Sequence, residues 1–257
     1  MRRPPHPLEF YRRLHESRHR YETGLFLAPG KKLFWEALRS LPLERFHCIF
    51  YGEMGEHPTL PEELKEKCYR LPNWQIERLS GQDTPEGIVS VLYMPPESRV
   101  LDASPAILAE RLQDPGNLGT LLRSMEWFGY EQLWLTADSA DPFSPKAVRA
   151  SMGSVFRLRV QRVKDWSSLL TAYEGRCVVA TMQGMPIHEV PWSKLDSLYI
   201  GSEAHGVNLA PPHWMRVSIP PSSTSRGDSL NVAVAATLLL FVRREIIAGR
   251  LHTLPPL

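Results

Sequence analysis

The chain has 257 residues, 43% hydrophobic and 23% charged, with a net charge of +2. That length fits one large or two modest domains, and that composition excludes a disordered or fibrous chain. A balance this near neutral excludes any argument for nucleic acid from net charge alone.

The cations are nevertheless uneven. Arg2, Arg3, Arg12, Arg13, Arg18 and Arg20 crowd the first twenty residues, where such a patch suits either a polyanion or a solvated face. Next, "GLFLAPGKKLFWEALRS" predicts a short strand, a Pro-Gly turn and a helix with Leu33, Phe34, Ala37 and Leu38 on one face. "FHCIFYG" and "GIVSVLYM" are further strands, and "PTLPEELKEKC" between them opens a helix. The proline-rich "MPPESRVLDASP" marks a domain boundary. The expected division is a small α/β domain over 1–97, a linker over 98–105 and a second domain over 106–257.

In the second domain strands and helices alternate. "AILAERL" is a strand, "NLGTLLRSMEWFG" a helix, "EQLWLT" a strand and "SPKAVRASMG" a helix. "VFRLRV" follows as a strand or edge, "DWSSLLTAYEG" as a helix, and "CVVATM" and "SLYIGSE" as strands. A short helix is expected near "NLAPPHWM", then the strand "RVSIP" and a last helix from about Leu230 to Ala248, stopped by Gly249. Such alternation implies an α/β fold with a parallel sheet covered on both faces. Ligands bind such a sheet beyond the carboxyl ends of its strands. A second basic stretch, with Lys146, Arg149, Arg157, Arg159, Arg162 and Lys164, falls in this half.

Cys48, Cys68 and Cys177 are odd in number and far apart, which argues against a disulfide framework or a metal site and suits a reducing, cytoplasmic setting. The longest apolar run, Val232 to Val242, is shorter than the roughly 20 residues a bilayer demands, so no membrane partner is expected. No apolar stretch follows the N-terminal arginines as in a secretory signal.

Three segments place polar or glycine residues where a strand ends. In "DPGNLGTLLRS", Gly116 permits an unusual backbone and Asn117 suits an N-cap, while Arg123 follows among apolar neighbours, where it can clamp an anion or simply snorkel. In "LYIGSEAHGVN", a strand ends on Gly201, and Ser202, Glu203 and Gly206 make a turn open to a ligand. The lysine and Ser/Thr of a Walker-type loop are missing, as is a dinucleotide fingerprint. In "SIPPSSTSRGDSLN", Ser229 is the expected N-cap of the last helix.

The order and spacing of these three segments resemble the motifs of the SpoU/TrmH branch of the SPOUT methyltransferases, over about Ala106 to Ala248. The upstream "SRHRYETGLFLAPGKKLFWEAL" is similar, more loosely, to the L30e-type substrate-binding domain of many members. The resemblance implies a deep trefoil knot in the C-terminal domain and a homodimer whose site borrows residues across the interface. It also implies S-adenosylmethionine as donor and a ribose 2′-hydroxyl of structured RNA, rRNA before tRNA, as acceptor. Asn117, Arg123, Glu203, Ser229 and Asn231 match the family's polar active-site positions. Thr181, Gly184, Ile200, Gly201, Gly206, Ile219 and Leu230 match its donor-binding positions, and no metal is implied. Arg18, Arg20, Arg149 and Arg157 are the expected RNA contacts.

A guanidinium, with pKa above ~12, is a poor general base, so Arg123 is expected to clamp the target phosphate and stabilise the developing alkoxide, while water or Glu203 takes the proton. The loop before Ser229 is longer than the family's usual one, and Ala204 stands where Gly is frequent. Two other readings are a knotted RNA-binding assembly factor without catalysis and a doubly wound enzyme acting on a small nucleotide.

Overall fold

Two short helices, α1 (Leu8–Arg12) and α2 (Ser17–Thr23), open the chain; Gly24, in the left-handed region, turns it into strand β1 (Leu25–Pro29). There follow α3 (Lys31–Ser40), β2 (Phe46–Gly52), α4 (Glu62–Lys65), β3 (Cys68–Leu71), α5 (Asn73–Ser80) and β4 (Ile88–Tyr93). The chain continues through β5 (Ala106–Ala109), α6 (Pro115–Trp127), β6 (Gln132–Thr136), α7 (Pro145–Ser151), β7 (Arg159–Val163) and α8 (Trp166–Ala172). It ends with β8 (Cys177–Pro186), β9 (Ser197–Ile200), β10 (Arg216–Ser218) and α9 (Val232–Ile247). This computed structural model describes residues 3–52, 60–96, 104–202, 205–227 and 229–251.

The chain forms two compact units, Met1–Pro96 with Asp141–Arg157, and Glu97–Ala140 with Leu158–Leu257. Most of the expected linker lies outside the described residues. The segment 141–157, expected within the second domain, packs in the first unit.

In the first unit the strands form a mixed sheet ordered β1-β4-β2-β3, with β1 and β2 antiparallel to β4 and β3 parallel to β2. β1 is buried along its whole length because it is covered on both faces. Leu25 and Leu27 join a core with Tyr11, Phe50, Ile76 and Val91. Phe26 points the other way, against Phe143 and Phe156, with ring centroids 5.1 and 6.4 Å apart. Leu33, Phe34 and Ala37 of α3 are buried as their spacing predicts.

The inserted segment also brings Asp141 to Arg20. The Arg20 guanidinium donates through Nε (2.9 Å) and Nη2 (2.5 Å) to Asp141 Oδ2, and through Nη1 to the Leu14 carbonyl (2.6 Å). Ser17 donates to the same carboxylate, and so does the Phe143 amide. The side chains are 2% and 7% exposed. Arg20 is therefore not the RNA contact its basic neighbourhood predicts, since its charge is neutralised and its donors are occupied inside the unit. A buried cation persists only with such partners.

The second unit is built on a fully parallel sheet ordered β10-β8-β9-β5-β6-β7. On one face Ala106, Leu108, Trp134 and Tyr199 pack against Trp166, Leu169 and Tyr173 of α8 and the turn after it. α6 and α9 lie together, and α9 also packs on β9. The expected α/β class and parallel sheet are present.

Local expectations need correction at four points. Asp114, not Asn117, caps α6: its Oδ1 accepts from the Asn117 amide at 2.8 Å, and Pro115 takes the first helical position, where its missing N–H costs nothing. Gly116 is an ordinary helical residue there. Asn231, not Ser229, caps α9, accepting from the Ala233 and Val234 amides. The helix expected near "NLAPPHWM" is a turn, because Pro211 and Pro212 have no amide with which to continue a helical ladder. Within "VFRLRV", a short 3-10 turn over Ser154–Phe156 precedes β7, the edge strand.

Replacing Asp141 with alanine leaves the Arg20 charge buried and unpaired. The expected cost is about 3–5 kcal/mol, read from the midpoint of urea unfolding. A loss below about 1 kcal/mol would show that the pair adds nothing over solvated side chains.

Candidate active site

The carboxyl ends of β9 and β10 and the middle of β8 converge on a cavity of about 520 Å³ in the second unit. β8 contributes Ala180, Thr181 and Met182; Ile200, Gly201, Ser202 and Gly206 come from the end of β9 and its turn. Val217 and Ile219 come from β10 and its end. Pro220, Pro221, Ser222, Ser225, Gly227, Ser229 and Leu230 close another side, and Val232, Ala235 and Leu239 of α9 form the floor.

The turn after β9 requires bare backbone. A Cβ on Gly201 would overlap the Gly206 carbonyl oxygen, and Ser202 and Gly206 exchange backbone hydrogen bonds of 3.2 and 2.9 Å. Gly206 itself has φ +63°, the left-handed region. Further round, a Cβ on Gly184 would fall 2.8 Å from the Arg216 carbonyl group, so β8 and β10 also approach at a glycine. The Ser218 hydroxyl donates to the Gly184 carbonyl at 3.0 Å across that approach.

Six of the seven expected donor-binding residues, Thr181, Ile200, Gly201, Gly206, Ile219 and Leu230, line this one cavity. Gly184 does not line it; it sits behind, packed on β10. Ser229, expected as a polar site residue, lines it too. Asn231 stands next to it at the head of α9, where its Nδ2 donates to Asn117 Oδ1 at 2.9 Å. The first and third motifs therefore touch. Arg123 lies on the exposed side of α6, about 9 Å along the helix axis from Asn117 at 1.5 Å per residue. It does not line the cavity and makes no hydrogen bond or ion pair among the described residues. Glu203 lies outside the described residues.

Sequence reasoning missed Met182, Pro220, Ser222, Ser225 and Ala235. Only the Ser-rich stretch carried a signal, as an unusually polar loop between a strand and a helix. The rest are ordinary apolar or backbone positions that the fold alone brings to the cavity. Thiol chemistry has no place here. Burial pushes Cys48 up to about 12 and Cys68 up to about 11, and neither lines the cavity.

An apolar cleft edged by hydroxyls and bare backbone, without a charged side chain among its described lining residues, suits a flat, largely apolar ligand held by main-chain groups. The family model described as "SpoU rRNA Methylase family" matches residues 104–241, more than half the chain, and takes in all three motifs. The chain belongs to the SpoU rRNA methylase family. Relatives in this family include the 23S rRNA (guanosine(2553)-2′-O)-methyltransferase RlmP of Bacillus subtilis, 31% identical over 90% of this chain and 93% of that protein. A 23S rRNA (uridine(2479)-2′-O)-methyltransferase of Streptomyces viridochromogenes is 30% identical over 74% of this chain and 71% of its own. An AdoMet-bound rRNA methyltransferase from Sinorhizobium meliloti has the same fold, with TM-score 0.80 and 28% identity over 93% of this chain and 94% of that one.

Gly201→Ala is expected to reshape the turn and lower donor affinity at least tenfold by isothermal titration. Gly129→Ala is the comparison: its added Cβ meets nothing within 4 Å and its φ is positive, so it reports backbone strain without a steric clash, whereas Gly201, whose φ is not positive, reports the clash alone. Equal donor affinity in the wild type and Gly201→Ala would remove the turn from the site.

Proposed function

We propose that this chain transfers a methyl group from S-adenosylmethionine to a ribose 2′-hydroxyl of ribosomal RNA. The observation that carries the reading is the convergence of six of the family's donor-binding positions on one cavity, with no charged side chain among its described lining residues, at the carboxyl ends of β9 and β10 beside β8. The residues fit the donor. Its adenine and ribose need a narrow apolar slot with main-chain groups, and the slot beside Gly201, Ile219 and Leu230 has both. Thr181 of β8 lines it as well.

Bound in this cleft, the donor supplies an electrophilic methyl group, so the protein need only position and polarise the acceptor. Arg123 has that task. Its guanidinium grips the phosphate next to the target ribose and stabilises negative charge as it grows on the 2′-oxygen. It cannot accept the proton, which passes to water or to Glu203. Asn117 and Asn231 hold each other and so fix the start of α6 against the start of α9.

The site is completed by a second copy of the chain. α9 exposes Val234, Leu238 and Phe241 on one stripe, and Phe241 meets the Phe128 ring at the end of α6. Beside it Trp127 is 77% exposed. An apolar stripe of this kind on paired helices marks an association surface. Two-fold pairing through it brings Arg123 of one protomer towards the cavity of its partner, which accounts for an arginine that does not line its own. The deep trefoil knot implied by the resemblance belongs to the same reading. It is supported by the late strand β9 entering between β5 and β8 and by the glycine contacts around Gly184 and Gly201.

RNA is held by the first unit. Arg18 is exposed beside Glu22, Arg157 is shared with Glu36 and Ser40, and Arg149 is half-buried with one donor on the Ser80 carbonyl. Arg18 is the most accessible of these cations, and an exposed ion pair yields readily to a phosphate.

Ribose-methylation mapping of rRNA with and without the active gene tests the reaction. One site is expected to disappear with the gene and to stay absent with Arg123→Ala, whose rate falls by about 10²–10³, the effect of losing one oxyanion-stabilising group. No change at any site would overturn the reading. For the assembly, Phe241→Arg is expected to give monomers by light scattering and to lose activity. Mixed dimers of Arg123→Ala with Gly201→Ala recover about a quarter to a half of it if one site can draw intact residues from both chains. No recovery at all would place Arg123 and the cavity in the same chain.

A further inference from the structure

Glu110, the residue after β5, is fully buried and has no part in the chemistry above. Its Oε2 accepts three hydrogen bonds: from the Asn208 amide (3.0 Å), the Leu209 amide (3.0 Å) and the Tyr199 hydroxyl (2.8 Å). Tyr199 accepts in turn from Trp166 Nε1 at 3.0 Å. Burial, and then the neighbouring carboxylate, push the Tyr199 hydroxyl above its ordinary range, so it remains a donor throughout the physiological span. Oε1 has no hydrogen-bond partner, and no lysine or arginine pairs with the carboxylate, among the described residues. A carboxylate in that position is costly unless its hydrogen bonds compensate.

Those bonds go to one place. The Glu110 backbone amide donates to the Ile200 carbonyl at 2.9 Å, immediately before the Gly201 turn. Its side chain holds the amides of Asn208 and Leu209, just after Gly206 and Val207. One residue thus holds both the outgoing and the returning arm of the turn that walls the cavity. Between these arms, the only main-chain pairing among the described residues is that of Ser202 with Gly206. The His205 amide also donates to Ser202 Oγ and Asn208 Nδ2 to the His205 carbonyl, but these bonds stay within the turn. Among the described residues it is Glu110 that hydrogen-bonds the returning arm to the sheet, and a glycine-containing turn keeps its place only if its ends are fixed.

We infer that Glu110 is a positioning residue for the methyl donor, a buried acceptor that ties the return of the 200–209 turn to the central strand and so sets the width of the donor slot. The inference rests on the reading of that cavity as the donor site. Oε2 acts as an acceptor of backbone N–H groups, so the acceptor matters and the charge does not. Glutamine, with a carbonyl oxygen at the same reach, substitutes for it; alanine does not.

Three measurements on the full-length protein decide the matter: amide exchange at Asn208 and Leu209, S-adenosylmethionine affinity by titration calorimetry, and filter binding of an unmodified 23S rRNA transcript. In Glu110→Ala, exchange at the two amides is expected to rise at least tenfold. Donor affinity is expected to fall at least tenfold, and RNA affinity to stay within twofold. Glu110→Gln is expected to restore donor affinity to within threefold of wild type, a rescue that mere loss of packing would not produce. Should Glu110→Ala fail to fold, Glu110→Asp takes its place. It keeps the charge but withdraws the oxygens by one methylene, and a tenfold weaker donor is again expected. The role of Glu110 is overturned if donor affinity survives while the amides exchange freely, if donor and RNA affinities fall together, or if glutamine is as defective as alanine. A wild-type protein that binds no S-adenosylmethionine overturns the reading of the cavity itself, which the exchange rates at Asn208 and Leu209 do not touch.

Discussion

The absence of a side chain at Gly201 is the constraint on which the site depends. Because the backbone of Gly206 comes back onto that position, the end of β9 and its turn fold into a thin wall with nothing between them. The Gly184 approach to β10 repeats the device on the next strand. Both contacts are made by main chain, and beside the Gly201 turn bare backbone joins the apolar side chains of Ile200, Ile219 and Leu239 in lining the cleft. A ligand recognised in this way is read by shape and by hydrogen bonds whose donors and acceptors are fixed in the fold, and little entropy remains to be lost on binding.

The helix pair α6 and α9 links this local geometry to the first motif. Asn117 with Asn231, and Ser124 with Thr237 at 2.6 Å, form two polar rungs between helices that are otherwise joined by apolar residues. The Ser124–Thr237 rung is partly removed from water and so needs its partner, while the Asn117–Asn231 rung is exposed; together they fix the register of one helix on the other. α6 carries Arg123 and α9 floors the cavity, and the spacing of these two functions follows from that register. Both helices bury apolar residues, Leu121, Leu122 and Met125 on α6 and Ala236, Leu239 and Leu240 on α9, and α9 in addition leaves Val234, Leu238 and Phe241 exposed.

Much of this was legible in the sequence. Order and spacing of "GSEAHG" and "SLN" predicted residues that the fold brings to one cavity, while "NLGTLLR" stays outside it and is joined to the third motif through Asn117 and Asn231. Local rules were less secure where two good candidates stood close together. Asp114 and Asn117 both suit an N-cap; proline after Asp114 decides between them, because it fits the first helical turn and Asn117 then lies inside the helix. Arg20 illustrates a different limit. Its neighbours form a basic run, yet its carboxylate is supplied from 121 residues away, and no window of local sequence contains that partner. The allocation of 141–157 to the first unit and the tether made by Glu110 were hidden for the same reason, since both are tertiary contacts. The roles of individual cations on RNA leave no pattern in one sequence beyond their charge.

That distant carboxylate also bears on how the molecule is made. The first unit is discontinuous: its sheet is encoded before Pro96, but the aromatic cover for β1 and the counter-charge for Arg20 are encoded after Ala140. A nascent chain that has emerged only to residue 96 carries a buried-type arginine with no anion and a strand with one bare face. Its first folding unit cannot close until β5, α6 and β6 have also left the ribosome. Synthesis therefore delivers the start of the second unit before the first is complete, and the two must fold as interleaved rather than successive events.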